Sequence, residues 1–485
     1  MILILFVSIV LVAALVSSFS KNDSRMATYI TLLSSIITLG LSVHIALDIV
    51  FSSSHTIVAI ADWVALNALG ALILLLVSFV YFTASIFSIG YMRFEKPGSF
   101  RTYYINFNLF VFSMLIIPLI QEPNSVWIAV ELTTLFSVLL VGFENTSAAI
   151  EAAWKYIVLT IMGAAIALLG FLILYWAARQ VGIEHYTWDS LLIAAPYMSP
   201  VLLKASFVFI LVGFGAKVGL VPLHTWLPDA HSQAPSPVCA LLSGVETTAI
   251  LYVILRLLPI VAAASAVDVN TWLIVVGLIS VGSAAFLLLQ VKDFKRLFAF
   301  STVEHMGIIL VAFGLGGNLA HIAAILQIIG HAITKSFAFY AAGGVLLLMG
   351  TREISKVRGL IRKSPVSAIA LLLGGLAIAG APPFALFLSE FSIIKAGLFK
   401  GEYITVGLLV IFIAIAFFAI MNHVSRMVFG RDDAKSSIDN KSYSLPISSK
   451  ITFAIAFIPI IAFGLYIPEV LYKLTILAAA TVGGW

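Results

Sequence analysis

Cysteine is almost absent: Cys239 is the only one in 485 residues. One thiol cannot form an intrachain disulfide, nor can it supply the ligand set of a cysteine-bound iron–sulfur cluster. Charge is scarce too. Asp, Glu, Lys and Arg make up 10% of the chain, against about 25% in a soluble domain. Hydrophobic residues make up 62%, and the mean hydropathy is +1.13. A surface so poor in charge cannot be solvated by water, so the composition implies an integral membrane protein. There is no G-x-G-x-x-G, no Walker-type glycine-rich loop and no Cys pair, and no connection is long enough to fold into a catalytic domain. The chain therefore offers no recognisable seat for a nucleotide or redox cofactor, and none is expected. Energy for uphill work has to come from partners. The N-terminal MILILFVSIVLVAALVSSFS lacks the basic stretch of a secretory signal and reads as a retained first span.

What is present is a series of long apolar runs. A helix needs about 20 apolar residues to cross the hydrocarbon layer, and about fourteen such runs can be counted, the first near 2–19 and the last near 451–475. The seventh lies near 200–226 and the twelfth near 366–398. None shows the alternation of a transmembrane barrel, so the predicted fold is an all-α membrane bundle. Basic residues crowd the odd-numbered loops: Lys21 and Arg25; Arg93, Lys96 and Arg101; Lys155; Lys292, Lys295 and Arg296; Arg352 to Lys363; Arg426 to Lys450. Even-numbered loops hold little beyond Arg179, Arg256 and Lys400. Positive loops stay cytoplasmic, which puts both termini outside the inner (plasma) membrane. The net charge of +5 is then accounted for by topology, with no nucleic-acid partner implied. Docking of a cytoplasmic partner on the basic loops is compatible with the same pattern.

Ionisable residues nevertheless occur inside the runs: Glu131, Lys204, Lys217, Glu246, Glu304, His305, His331, Lys335, Glu390 and Lys395. Each costs at least about 2.5–3.5 kcal/mol at a helix centre, so they have to face one another or water, and a proton or ion path is the default reading. Glu131 is the one charge of its span, and Lys217 is the nearest comparable cation in chain order. Paired, each charge favours the ionised form of the other; separated, both favour neutrality. Such a pair can hold or release a proton, or it can be a static helix–helix clasp. His331 and Lys335 are four apart and share a helix face, and His305 follows Glu304. These histidines read as proton relays, with satisfied structural histidines as the alternative. His224 and His231 bracket a proline loop without the clustering of a metal site.

Two spans are interrupted. Gly219, Pro222 and Pro228 follow Lys217 in the seventh; Gly380, Pro382 and Pro383 precede Glu390 and Lys395 in the twelfth. Proline removes a helical hydrogen bond, and irregular backbone survives at bilayer depth only in protein or beside a cavity. Kinks are tolerated in membrane helices, but breaks at matching places in two halves point to inverted repeats. Five spans separate the breaks, an odd number, so the halves run in opposite senses. The expected divisions are 1–101, an N-terminal three-helix segment; 102–258 and 259–430, two five-helix repeats; and 431–485, a polar loop and a last helix.

The block KVGLVPLHTWLPDAHSQAPSPVCALLSG, from Lys217, resembles the signature of the antiporter-like subunits of respiratory complex I, Mrp-type Na+/H+ antiporters and membrane-bound hydrogenases. STVEHMG, HAITKS, GAPPFALFLSEF, ADWVALNALG and FSIGYM are similar to further motifs of that superfamily. VELTTLFSVLLVGF with IEAAWKYIVLT resembles the hydrogenase-4 component F branch. The resemblance implies a fourteen-helix core with inverted five-helix repeats. It implies Glu131 and Lys217 as the first charge pair, His305, His331 and Lys335 on a hydrophilic axis, and Glu390 as the terminal group. Lys204, His224, Glu246, Glu304 and Lys395 complete the expected proton pathway. Many relatives carry a lysine in the eighth span; here Thr248 is nearest to that position, with Glu246 two residues before it. Span 12 carries Glu390 where some relatives have lysine. The implied partners are other membrane subunits, including further antiporter-like ones, and cytoplasmic iron–sulfur, hydrogenase or dehydrogenase subunits, with lipid around the bundle. The implied function is proton translocation driven by redox chemistry in those subunits. A subunit of an Mrp-type antiporter without a redox partner, and a purely anchoring subunit, are the alternatives.

Overall fold

A computed structural model describes residues 2–21, 25–61, 63–93, 99–264, 268–431 and 444–484. Its helices are α1 (Ile2–Ser18), α2 (Met26–Phe51), α3 (Ala68–Tyr91), α4 (Phe100–Ile116), α5 (Pro123–Val141), α6 (Ser147–Gln180) and α7 (Trp188–Ala194). There follow α8 (Pro200–Val218), α9 (Trp226–Gln233), α10 (Ser236–Leu241), α11 (Thr247–Ala263), α12 (Asn270–Leu288), α13 (Phe294–Leu315) and α14 (Asn318–Met349). The last six are α15 (Leu360–Lys363), α16 (Pro365–Ile378), α17 (Ala385–Phe399), α18 (Tyr403–Phe429), α19 (Ile447–Leu465) and α20 (Glu469–Gly483). Among the described residues, twelve helices are long and apolar enough to cross a membrane, α10 and α11 counting as one; α1 and α16 are shorter apolar helices.

Local chemistry sets several of these boundaries. Glu122 accepts from the amides of Asn124 and Ser125 ahead of Pro123 at the start of α5, and Asp293 accepts from Lys295 and Arg296 at the start of α13. Side-chain caps of this kind satisfy donors that a helix start leaves open. Between α10 and α11 the ladder widens into a π turn, Leu242–Glu246.

Three departures from expectation concern elements. Thr56–Ile60 and Val64–Asn67 pair as an antiparallel hairpin, β1–β2, because short β-branched segments outside the spans need no transmembrane length. The last apolar run is not one helix: the chain turns extended at Tyr466 and Pro468 caps the separate α20. The segment between His224 and His231 is mostly the helix α9. Lys96, Lys435 and Lys441, with the 432–443 part of the polar connection, lie outside the described residues.

The centre of the bundle is built from α3, α10–α11, α13 and α14, which are buried along nearly their whole lengths. In the deepest helices hydrophobic residues point in every direction, as a helix enclosed on all sides requires. By contrast α2, α12, α18 and α19 expose large apolar side chains such as Leu33, Ile279, Phe418 and Ile458. Small residues let some of the helices close up. A Cβ at Gly163 or Gly213 would strike the opposite helix of the α6–α8 pair, and Gly277 and Gly307 do the same for α12–α13.

Candidate functional site

The two proline breaks fall where the sequence places them. α8 ends at Gly219, with φ +92°, and α16 ends just before Gly380, with φ +71°. These are left-handed conformations that a side chain resists. The freed backbone groups find partners. Val221 N–H donates to Ser280 Oγ (3.1 Å) and Trp226 Nε1 donates to Ala216 O (2.7 Å). At the second break, Ile378 O is 3.1 Å from His305 Nε2. Irregular backbone is therefore satisfied within protein, as bilayer depth demands.

Lys217, in the last turn of α8, is enclosed. Its ammonium donates to Glu131 Oε1 (3.3 Å), to Thr133 Oγ1 (3.3 Å) and to Val130 O, so three acceptors from α5 meet one cation from α8. The pair expected from chain order is present. Glu131 keeps 21% of its side chain accessible, whereas Lys217 keeps 1%.

Beyond the pair runs a hydroxyl chain that the sequence did not single out. Ser137 Oγ donates to Thr133 O (2.6 Å) and lies 2.7 Å from Tyr156 Oη, and Tyr156 donates to Glu246 Oε1 (3.2 Å). Glu246 is buried at the end of the π turn, and its Oε2 has no protein partner. Ser243 in the same turn lies 2.6 Å from Thr302 Oγ1 on α13, and its carbonyl is 2.9 Å from His331 Nε2 on α14. The π turn thus touches the Glu246 group on one side and the His331 group on the other. Such single-turn bulges frequently mark functional sites.

The second group is equally enclosed. The His331 and His305 rings are 5.5 Å apart, edge to face. His305 Nδ1 is 3.1 Å from Gln327 Nε2 and 3.9 Å from Glu390 Oε1, and Ser389 donates to Gln327 Oε1. Lys335, one turn from His331, donates to Phe298 O (2.9 Å) and to Ser301 Oγ. Glu304 is buried beside these groups, and its Oε2 and His331 Nδ1 have no protein partner. Buried polar atoms without protein partners mark positions that water has to serve.

Three expected pathway residues stand apart. Lys204 and Lys395 are exposed on the outer surfaces of α8 and α17, Lys395 with its ammonium 5.6 Å from the Phe399 ring centroid. Neither joins the buried file, because long aliphatic stems let lysines lie along an outer face. His224 sits in the break between α8 and α9, and its Nδ1 has no protein partner. Conversely, Lys295, read from the sequence as a loop charge, is fully buried at the start of α13 and donates to Ala234 O. His231 is fully buried and stacked on Phe339 at 5.0 Å. At the same end of the bundle Asp229 joins Arg296 (2.6 Å) and Lys155 (3.2 Å), and Arg352 joins Glu144 (3.1 Å), tying α9, α6, α13 and the α14–α15 connection together.

The comparisons with known proteins agree with this architecture. Residues 123–417 match the family described as NADH:quinone oxidoreductase/Mrp antiporter, transmembrane. The chain is 37% identical over 412 residues to the hydrogenase-4 component F homolog of Methylacidiphilum infernorum, covering 83% of this chain and 85% of that protein. It is 32% identical over 341 residues to hydrogenase-4 component B of Escherichia coli, covering 67% of this chain and 49% of that longer protein. With subunit A1 of a Staphylococcus aureus Na+/H+ antiporter it shares 30% identity over 452 residues, 85% of this chain and 55% of that one. Among solved structures, a chain of the archaeal membrane-bound sulfane sulfur reductase superposes with a TM-score of 0.88 at 23% identity, covering 99% of this chain and 97% of that one. A chain of the Mrp complex from Dietzia sp. DQ12-45-1b superposes with a TM-score of 0.87 at 20% identity, with the same coverage of 99% and 97%. This multi-pass membrane chain belongs to the NADH:quinone oxidoreductase/Mrp antiporter transmembrane family, as an antiporter-like subunit of the kind found in hydrogenase-4, complex I and Mrp assemblies.

Proposed function

We propose that this subunit moves protons along the buried file from Glu131 to Glu390, driven by redox chemistry in partner subunits of a hydrogenase-4, formate hydrogenlyase or complex I type of assembly. The observation that carries the proposal is a file of enclosed polar groups in close succession, with intervals, such as that between Glu246 and His331, for water to bridge. Glu131 and Lys217 lead through Thr133, Ser137 and Tyr156 to Glu246, and the π turn hands on to His331, His305 and Glu390. A greasy bundle gains nothing in stability from this many enclosed charges, whose desolvation rivals or exceeds their mutual attraction. Transport accounts for their presence.

In this reading the chain crosses the inner membrane fourteen times: twelve long helices, the short α1, and α16–α17 as one broken span. The basic odd-numbered loops face the cytoplasm and both termini face outside. Residues 102–258 and 259–430 form the inverted repeats, 1–101 an N-terminal three-helix segment, and 431–485 the C-terminal part. The polarity of the pairing is then reversed between halves. On the first broken span the member is the cation Lys217, paired with an acid of an unbroken helix. On the second it is the acid Glu390, facing the base His305. Separating Glu131 from Lys217 disposes the ammonium to give up its proton, and closing the Glu390–His305 gap disposes the second half to hold one. Lateral shifts of charge between neighbouring groups would carry a proton through the centre. Glu246 stands in for the eighth-span lysine of many relatives.

The test is proton uptake into proteoliposomes holding the assembled complex, with its subunits identified by mass spectrometry. Lys217→Ala and Glu131→Ala should abolish coupled uptake while assembly persists; unchanged uptake in both refutes the pathway. Transport coupled to sodium in a complex lacking iron–sulfur subunits would instead favour an Mrp-type antiporter, a reading supported by the 30% identity to an antiporter subunit.

A further inference from the structure

At the even-loop end of the bundle, away from the buried file, a second polar site lies beside the end of α11. A cavity of about 480 Å3 opens there among the β-hairpin, α7, α11 and α20. Arg256 lines it and is 9% exposed. The guanidinium carbon is 5.4 Å from the Trp188 ring centroid, and Nη2 is 3.9 Å from Asp189 Oδ1, a side chain that is 85% exposed. That distance is beyond a hydrogen bond. Among the described residues Arg256 donates no hydrogen bond at all.

An arginine carries five N–H donors in a planar fork, and those of Arg256 face the cavity with no protein acceptor among the described residues. Trp188 occupies one face of the guanidinium, which leaves the N–H edges uncommitted. The solvated carboxylate of Asp189 is a weak partner at best. The donors are thus positioned for an oxyanion, the shape a guanidinium fork matches best. The rest of the wall is mixed: Leu192, Pro259, Ile260 and Leu477 give an apolar stretch along α11 and α20, and Asn67, Gln121 and Thr481 are polar. On the hairpin side the cavity meets Val58, 63% exposed, beside Ser54, His55 and Thr56, and the same hairpin exposes Trp63 (61%) outside the lining. Tryptophans exposed at a helix-bundle end are typical of the headgroup level of a bilayer. An anion that also brings hydrocarbon fits this wall better than a hydrated ion.

We propose that the cavity binds an anionic phospholipid, its phosphodiester on the Arg256 fork and the start of an acyl chain along the α11–α20 wall. The proposal is independent of the proton pathway.

Native mass spectrometry of the assembled complex, delipidated in mild detergent and offered phosphatidylglycerol, phosphatidylethanolamine or inorganic phosphate, tests it. The wild type should retain phosphatidylglycerol in preference to phosphatidylethanolamine. Arg256→Gln should lower that retention about tenfold or more, the scale of a lost charge-assisted contact. Leu192→Trp keeps the guanidinium but narrows the apolar wall and should lower it too. If Arg256→Gln does not assemble, Leu192→Trp decides. Equal retention by wild type and variants overturns the proposal. So does displacement of the lipid by millimolar inorganic phosphate, which would make the ligand a free anion, or a map of the complex with a partner polypeptide in the cavity.

Discussion

The pair at the head of the buried file can be weighed by removing its members singly and together. Two unit charges 3.3 Å apart attract by about 5 kcal/mol at an effective dielectric of about 20. Desolvation offsets most of that, so the pair adds little net stability, but leaving one member alone is costly, about 3–5 kcal/mol for a fully buried charge. The two members are not equally buried. Lys217 is 1% exposed and Glu131 is 21% exposed. Glu131→Gln removes the negative charge and leaves the enclosed ammonium only neutral acceptors, the new amide oxygen, Thr133 and the Val130 carbonyl, whereas Lys217→Met leaves alone a carboxylate that is less enclosed. We expect Glu131→Gln to be the more destabilising single change, towards the upper end of that range, and Lys217→Met to cost about 1–2 kcal/mol less. The double substitution removes both unpaired charges and should recover about 1–3 kcal/mol relative to the sum of the singles. Unfolding free energies by steric trapping in bicelles measure all three. Additive single effects, with a coupling below about 0.5 kcal/mol, or a milder Glu131→Gln, would refute the reasoning.

Three further outcomes follow from the same contacts. Tyr156→Phe removes the hydroxyl between Ser137 and Glu246, and should slow proton uptake into proteoliposomes at least about tenfold while leaving assembly on native gels intact. Gly380→Ala places a methyl group on the Glu390 carboxylate and forces an alanine to φ +71°; a loss of about 1–2 kcal/mol from the backbone alone, plus weakened transport, should appear in thermal unfolding and uptake assays. Lys204→Gln and Lys395→Gln alter exposed side chains outside the file, and uptake rates should stay within about twofold of wild type, as for surface changes that touch no network.

The sequence exposes features with a large local signature. Prolines beside glycines mark both helix breaks, and a lone carboxylate in an apolar span, with one cation in reach, marks Glu131 and Lys217. The helical spacing of His331 and Lys335 puts them on one face, and the structure turns that face inward. Other features leave no such trace. α8 and α17 are apolar on all sides, so nothing in the pattern says that Lys204 and Lys395 point outward while Lys217 and Glu390 point inward. Lys295 sits among loop charges, and only the packing of α9 against α13 shows that it is buried. Ser137, Tyr156, Ser243 and Gln327 are neutral and carry no insertion penalty that would draw the eye, although Tyr156 directly follows Lys155. The π turn depends on how Ser243 and Glu246 are held by other helices. Pro468 was a usable signal for the division of the last apolar run into α19 and α20.

Water is the most direct witness to a single proton route through the middle of the bundle. A cryo-electron microscopy map of the assembled complex at a resolution that shows ordered waters should place them between Glu246 Oε2 and His331 Nδ1, alongside the π turn. Aliphatic packing that closes this interval, with no density joining the two groups, would contradict the account.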